Sequence, residues 1–241
     1  MTLFLGVLLS AALGGFVQSV TGFGAAVVMM TIFPRLFGMA LAPSVSTGIC
    51  LGLTVALAWQ FRRYARRELI LLPTVLYTVS SVLVIRIIGS MDLRLLTVAF
   101  GGVLILLGGW LLFFAGSRTF RVTLGLTVVC SLAAGVCGGL FSIAGPIMAI
   151  YFLAATDSRE AYLGNMQTHF LFNNCISAAA RAASGLFPLS LVPMTLLGIA
   201  GVVCGQKLGL AVGKKLNAEQ MKKLVYLYVM ISGAVTVVRN L

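Results

Sequence analysis

The sequence predicts an all-α integral membrane protein of two inverted repeats, each a broken, re-entrant helical hairpin plus three transmembrane helices. Three observations predict it. The chain of 241 residues is 60% hydrophobic and only 9% charged, with mean hydropathy +1.10, whereas soluble domains carry about 25% charged residues. Two glycine-punctuated apolar segments, each too long for one crossing, recur at a constant offset that places Gly14 on Gly135, Thr21 on Ser142 and Gly24 on Gly145. The same offset puts Thr47 on Thr168, Arg86 on Lys207 and Arg94 on Lys215. Finally, the basic loops change places between the halves, which is what opposite orientations require.

The elements follow in order. Residues 2–34 form the first long segment, and its break falls at Thr21-Gly22-Phe23-Gly24. A helix of that length would run about 50 Å against a hydrocarbon core of about 30 Å, so it must fold back. Spans follow at 39–61, 68–89 and 93–115. The second long segment, 122–155, breaks at Ser142-Ile143-Ala144-Gly145-Pro146, since proline is tolerated in a first helical turn but not mid-helix. Spans at 162–185, 189–213 and 221–239 complete the chain. The repeats occupy 1–117 and 118–241, in one membrane domain without a soluble one.

Charge sets the orientation. Arg62-Arg63-Tyr64-Ala65-Arg66-Arg67 follows the second segment of the first half, whereas Lys214 to Lys223 follows the third segment of the second. With both loops cytoplasmic, the ends of 122–155 share the cytoplasmic side, held there by Arg118, Arg121 and Arg159. That segment is then a hairpin with legs of about sixteen residues each. By symmetry 2–34 enters from outside, and both termini lie outside a plasma or inner membrane. No basic region precedes Arg35, which argues against a cleaved signal peptide. The net charge of +12 reads as topology, not as nucleic-acid binding.

Irregular backbone at membrane depth survives only inside protein or beside a wet cavity. Two tips entering from opposite faces would meet near the midplane and could offer free amides at helix starts, a dock for an anion. Gln18, Ser19, Thr21, Gly22 and Gly24 mark the first tip; Ser142, Ala144 and Gly145 mark the second. The bland alternative for their hydroxyls and amides is helix–helix hydrogen bonding.

The span 162–185 is the most polar. Gln167, Asn174 and Arg181 recur every seven residues, and His169 and Asn173 form a neighbouring stripe. Asn173 and Asn174 are candidates to complete the cavity and Arg181 to supply positive charge, although an arginine this near a helix end can also snorkel. His169, the single histidine, reads as a neutral hydrogen-bond partner, with a proton carrier as the alternative. Arg86 and Lys207, repeat mates near the ends of their helices, read as snorkelling residues, with an electropositive vestibule on each face as the alternative. Asp92, Asp157, Glu68, Glu160 and Glu219 all fall at or beyond helix ends, which disfavours a carboxylate relay or a sodium site and suits an anion pathway. The five cysteines lie in apolar segments with no C-x-x-C pair and read as small packing residues. Gly201, Gly205, Gly209 and Gly213 would let another helix approach closely.

The two motifs GGFVQSVTGFGAAVVMMTIFP, from Gly14 to Pro34, and AGVCGGLFSIAGPIMAIYF, from Ala134 to Phe152, resemble the sulfite exporter TauE/SafE family of membrane permeases. The resemblance covers essentially the whole chain. It implies two repeats of about four hydrophobic segments and substrates such as sulfite, sulfoacetate or other organosulfonates. Here Ala25 and Ala26 follow Gly24, a departure from more glycine-rich forms.

The expectation is a secondary transporter of a small anion, sulfite or an organosulfonate, working by alternating access at the two tips. A channel-like anion pore of the same architecture is the alternative. An enzyme is disfavoured, because the spans carry neither a carboxylate pair nor a metal-ligand cluster. The expected partners are a small anion and the lipid bilayer, without nucleic acid, cofactor or metal. Oligomeric state stays open, a homo-oligomer included.

Overall fold

The computed structural model describes residues 2–114, 122–212 and 218–240, and these residues contain helices and no strand. The helices are α1 (Thr2–Thr21), α2 (Ala25–Met30), α3 (Phe33–Phe61), α4 (Arg67–Ile87), α5 (Leu93–Phe114), α6 (Leu124–Phe141), α7 (Gly145–Ala155), α8 (Arg159–Ala183), α9 (Val192–Val212) and α10 (Ala218–Asn240). Short 3-10 turns close α3 and α4 and open α9. The expected repeat boundary at 117/118, Arg118, Arg121 and the lysines at 214 and 215 lie outside the described residues.

Six of these helices are long and apolar enough to cross a membrane: α1, α3, α4, α5, α6 and α9. The 25-residue α8 has the length but not the apolar composition. Its polar side chains face protein, because its first half is almost wholly buried among its neighbours. The hydropathy of a span reports lipid contact, and α8 exposes large apolar side chains only along its second half, at Phe172 and Ile176.

Both long segments break where glycine and proline mark them. Gly22 and Gly24 have φ of 86° and 110°, a left-handed backbone that a side chain would strain. The chain reverses there, so that Gly14 packs on Ala25 and Gly6 on Leu36. α3 is itself interrupted at Gly38 (φ 75°, ψ 160°), so residues 33–37 continue the returning leg and the long span begins after it. In the second segment α6 ends at Ser142, and α7 starts at Gly145 with Pro146 in its first turn. α7 then folds back on α6. The expectation of equal legs of about sixteen residues is corrected. α1 has 20 residues against a returning leg that runs from Ala25 only to residue 37, and α6 has 18 against 11 in α7. The glycines sit off-centre in each segment, and the break follows them.

Glycine grooves hold the bundle together. Leu8, Ala12 and Phe16 of α1 lie against Gly201, Gly205 and Gly209 of α9, so the two helices run parallel. A β-carbon at any of the three would overlap α1 backbone. Tyr77 and Ser81 of α4 meet Gly135 and Gly139 of α6 in the same parallel sense. α3 packs on α8 and α9, α4 on α8, and α5 on α10. The last pair is antiparallel, with Gly101 against Val237 and Arg94 beside Asn240.

Candidate functional site between the broken helices

At the first tip, Gln18 spans the break. Its Oε1 accepts from the Ala25 N–H at 3.2 Å, and its Nε2 donates to Gln167 Oε1 at 3.2 Å. Gln167 returns its own Nε2 to the Gly22 carbonyl at 2.6 Å. Two turns earlier on α8, Arg159 Nη2 approaches the Ser19 carbonyl at 3.5 Å, and the Tyr162 hydroxyl lies 3.4 Å from the Thr21 carbonyl. One helix of the second half therefore braces the open backbone of the first tip.

The second tip is held by the first half in turn. Ser142, at φ 59°, closes α6 through its N–H to the Gly138 carbonyl at 2.9 Å. Its hydroxyl meets Thr47 Oγ1 of α3 at 3.0 Å. Thr47 also reaches the Pro43 carbonyl at 2.7 Å, which commits its own proton, so Ser142 donates between the two hydroxyls. Gly145, at the start of α7, packs directly on Phe23 of the first tip. The tips touch.

Around that contact lies a cavity of about 40 Å³. Gln18 and Gly24 come from one tip; Ser142, Ala144 and Gly145 come from the other. Thr47, Thr54, Tyr77, Asn174 and Ser177 supply further polar groups, and among the described residues no charged side chain lines the wall. Asn174 Nδ2 reaches Thr54 Oγ1 at 3.5 Å. At roughly 10–15 Å³ of such volume per water, the space suits an ion of a few heavy atoms.

Six expected site residues thus line the cavity: Gln18, Gly24, Ser142, Ala144, Gly145 and Asn174. The other six lie around it. Ser19 is bound to the Phe16 carbonyl at 2.8 Å under Gly209, as part of the α1–α9 seam. Thr21 spends its hydroxyl on the Val17 and Phe23 carbonyls, and Gly22 packs on Tyr162. His169 and Asn173 turn to α4, where Thr74 meets His169 Nδ1 at 2.9 Å and Thr78 donates to Asn173 Oδ1 at 2.8 Å. Ser81 and Ser177, 3.3 Å apart, extend this ladder. The His169 ring also stacks against Tyr77, Phe152 and Phe170.

Arg181 does not snorkel. It is 0% exposed, and Nη2 donates to the Gly138 and Gly139 carbonyls at 3.2 and 2.5 Å, in the last turn of α6. Its Nε and Nη1 have no hydrogen-bond partner. A cation at a helix C-terminus is favoured by the helix dipole, and this one stands a turn beyond Ser177. Arg86 and Lys207 are exposed, as snorkelling requires.

The sequence reading missed Thr54, Tyr77 and Ser177 as lining residues, and marked Thr47 only as a repeat mate. Thr47 and Thr54 stand seven apart in a largely apolar span, the same periodicity that singled out Asn174. That signal was present.

A polytopic helical bundle with a small polar cavity between two broken helices is built as a membrane transport protein. Residues 7–236 match the family described as Sulfite exporter TauE/SafE, and the chain belongs to that family. The family is one of membrane transporters of sulfur-containing anions, not of enzymes. No curated protein and no solved structure matches the chain.

Proposed function

We propose that the protein is a secondary carrier of a small sulfur oxyanion, sulfite or a short organosulfonate, working by alternating access in the cell membrane. The cavity to which both tips contribute carries this reading. Helix starts leave backbone amides without intrahelical partners, and α7 opens one onto the cavity at Gly145. Hydroxyls and amides of Gln18, Ser142, Asn174 and Ser177 would bind the anion directly. Arg181 would act through its field, since nearby carboxylates are absent among the described residues and its charge faces low-dielectric surroundings. Ser19, Thr21, Gly22, His169 and Asn173 would hold the tips and α8 in register.

The inverted repeat is supported by how the helices pair. Exchanging each helix of one half with its equivalent in the other turns α1–α9 into α6–α4 and α3–α9 into α8–α4, and both members of each exchange occur. With Arg62 to Arg67 cytoplasmic, both termini are outside.

Counterflow of labelled sulfite and two-carbon sulfonates in proteoliposomes tests the reading, with chloride, sulfate and taurine as competitors. Saturable exchange inhibited by sulfonates is expected, and the small cavity favours sulfite over taurine. Flux that never saturates would replace the carrier with a channel-like pore. Absence of any anion flux would end the transport assignment.

A further inference from the structure

A second cavity, of about 200 Å³, opens between the returning leg of the first hairpin and the α5–α10 pair. Arg35 and Arg239 line it together with Thr31 and Thr97, and among the described residues no acidic side chain does. Arg94 stands at its rim, donating Nε to the Asn240 carbonyl at 2.8 Å. This end of the bundle lies opposite the Arg62–Arg67 loop, so its arginines run against the inside bias of basic residues. Topology does not explain them.

The position relative to the central cavity does. Val27 lines the central cavity, while Met30 and Thr31, one turn further along, line this one. Phe100 forms part of its wall and packs on Phe141 with ring centroids 5.2 Å apart. Phe141 directly precedes Ser142, which lines the central cavity. Met30, Phe100 and Phe141 are all buried. An apolar layer about one side chain thick therefore parts two polar chambers.

The geometry points to an outer capture site for the transported anion: Arg35 and Arg239 gather a sulfite or sulfonate at this vestibule, behind a closed gate of Met30, Phe100 and Phe141. Guanidinium forks match the paired oxygens of such oxyanions. A charged cleft with low-dielectric walls raises local anion concentration. This inference rests on the carrier reading above and adds to it a second binding station and the sense in which the described conformation is shut. A phospholipid phosphate shares the same chemistry, so the experiment must separate it from a free anion.

The test uses the full chain in vesicles of neutral phosphatidylcholine, comparing wild type with R35Q/R239Q. A Thr97→Cys thiol is labelled from outside with an anionic ethylsulfonate and with a cationic trimethylammonium methanethiosulfonate, above the background of the chain lacking it. The anion-to-cation rate ratio is expected to fall on the order of tenfold in the double variant. The KM for external sulfite is expected to rise more than the maximal rate falls, and sulfite should slow the anionic label in wild type. An unchanged ratio with unchanged KM overturns the proposal. A KM effect confined to vesicles containing anionic phosphatidylglycerol also overturns it, by assigning the arginines to lipid. If wild type moves no anion, the carrier reading fails on its own, and the labelling ratio alone decides whether the vestibule concentrates anions. Should the double variant misfold, R35Q and R239Q are read singly.

Discussion

Ser142 and Thr47 meet hydroxyl to hydroxyl at 3.0 Å, 95 positions apart, and tie the tip of the second hairpin to α3 of the first half. Because Thr47 commits its proton to the Pro43 carbonyl, the Ser142 proton is the one an arriving anion can redirect. Ser142→Gly removes that proton and relaxes a left-handed backbone. Thermal stability should hold, while the KM for sulfite rises roughly three- to tenfold, the worth of about one hydrogen bond. Ser142→Val, branched at positive φ, should lower the folded yield. An unchanged KM in the glycine variant takes Ser142 out of the site.

Gln18 spans the break with one bond from the Ala25 N–H and one to Gln167, which leaves its second amide N–H for the anion. Gln18→Glu puts a carboxylate against the Gln167 oxygen and into the cavity wall. Sulfite exchange should drop by at least about tenfold, since a like charge a few ångströms from the anion costs more than about 1 kcal/mol. Counterflow of folded, size-excluded protein reads it out; near-normal exchange would place the anion elsewhere.

Arg181→Met separates field from tether. The arginine has two unpartnered donors, and a buried charge so poorly compensated contributes little to stability. The melting temperature should therefore move little, while sulfite affinity falls roughly tenfold through loss of the one buried charged side chain among the described residues. A lower melting temperature with unchanged affinity would leave Arg181 as a clamp on the end of α6.

Gly205→Val and Gly109→Ala form a matched pair. A β-carbon at Gly205 overlaps the Ala12 carbonyl, whereas one at Gly109 meets nothing within 4 Å. The valine should abolish monodisperse protein, and the alanine should leave yield and melting temperature as they are. Equal yields would contradict the α1–α9 seam.

His169 is surrounded by Thr74, Asn173 and three aromatic rings. Those neighbours position a ring and offer no carboxylate with which to exchange a proton. His169→Gln should leave the pH profile of exchange in place while lowering the stability by about 1 kcal/mol for a lost buried hydrogen bond, read as a lower melting temperature. A displaced profile would make His169 a proton carrier.

Much of the fold was legible because helix breakage is written locally. Gly22, Gly24 and Pro146 act on their own turns, and the constant offset between the two motifs repeats the message. Span ends were legible for the same reason: Gly38 stands between the expected 2–34 and 39–61, where the backbone leaves the helix. The unequal legs were legible too, because Gly22, Gly24 and Pro146 sit off-centre in 2–34 and 122–155, but the expectation of equal legs passed over that placement. Polar chemistry was legible by type but not by direction. Ser19 and Thr21 look like anion ligands, yet an i−3 or i−4 carbonyl satisfies each at short range. Thr54, Tyr77 and Ser177 look like ordinary residues of apolar helices until α3, α4 and α8 bring them to one wall. For Arg181, distance from the helix end suggested an escape to water. The end of α6 lies in the way and offers its carbonyls instead.

The parallel seam of α1 on α9 bears on how the chain is made. Val7 and Ala12 of α1 leave the ribosome long before their seats at Gly198 and Gly205 of α9. Throughout synthesis α1 must wait in the bilayer with its narrow face on lipid or on a provisional neighbour, the situation in which long-range contacts slow assembly and invite mispairing. Its counterpart α6 finds α4 already in place when it emerges. Two seams of the same construction thus differ in the timing of their closure, and the first hairpin is the one exposed to capture by the translocation and quality-control machinery.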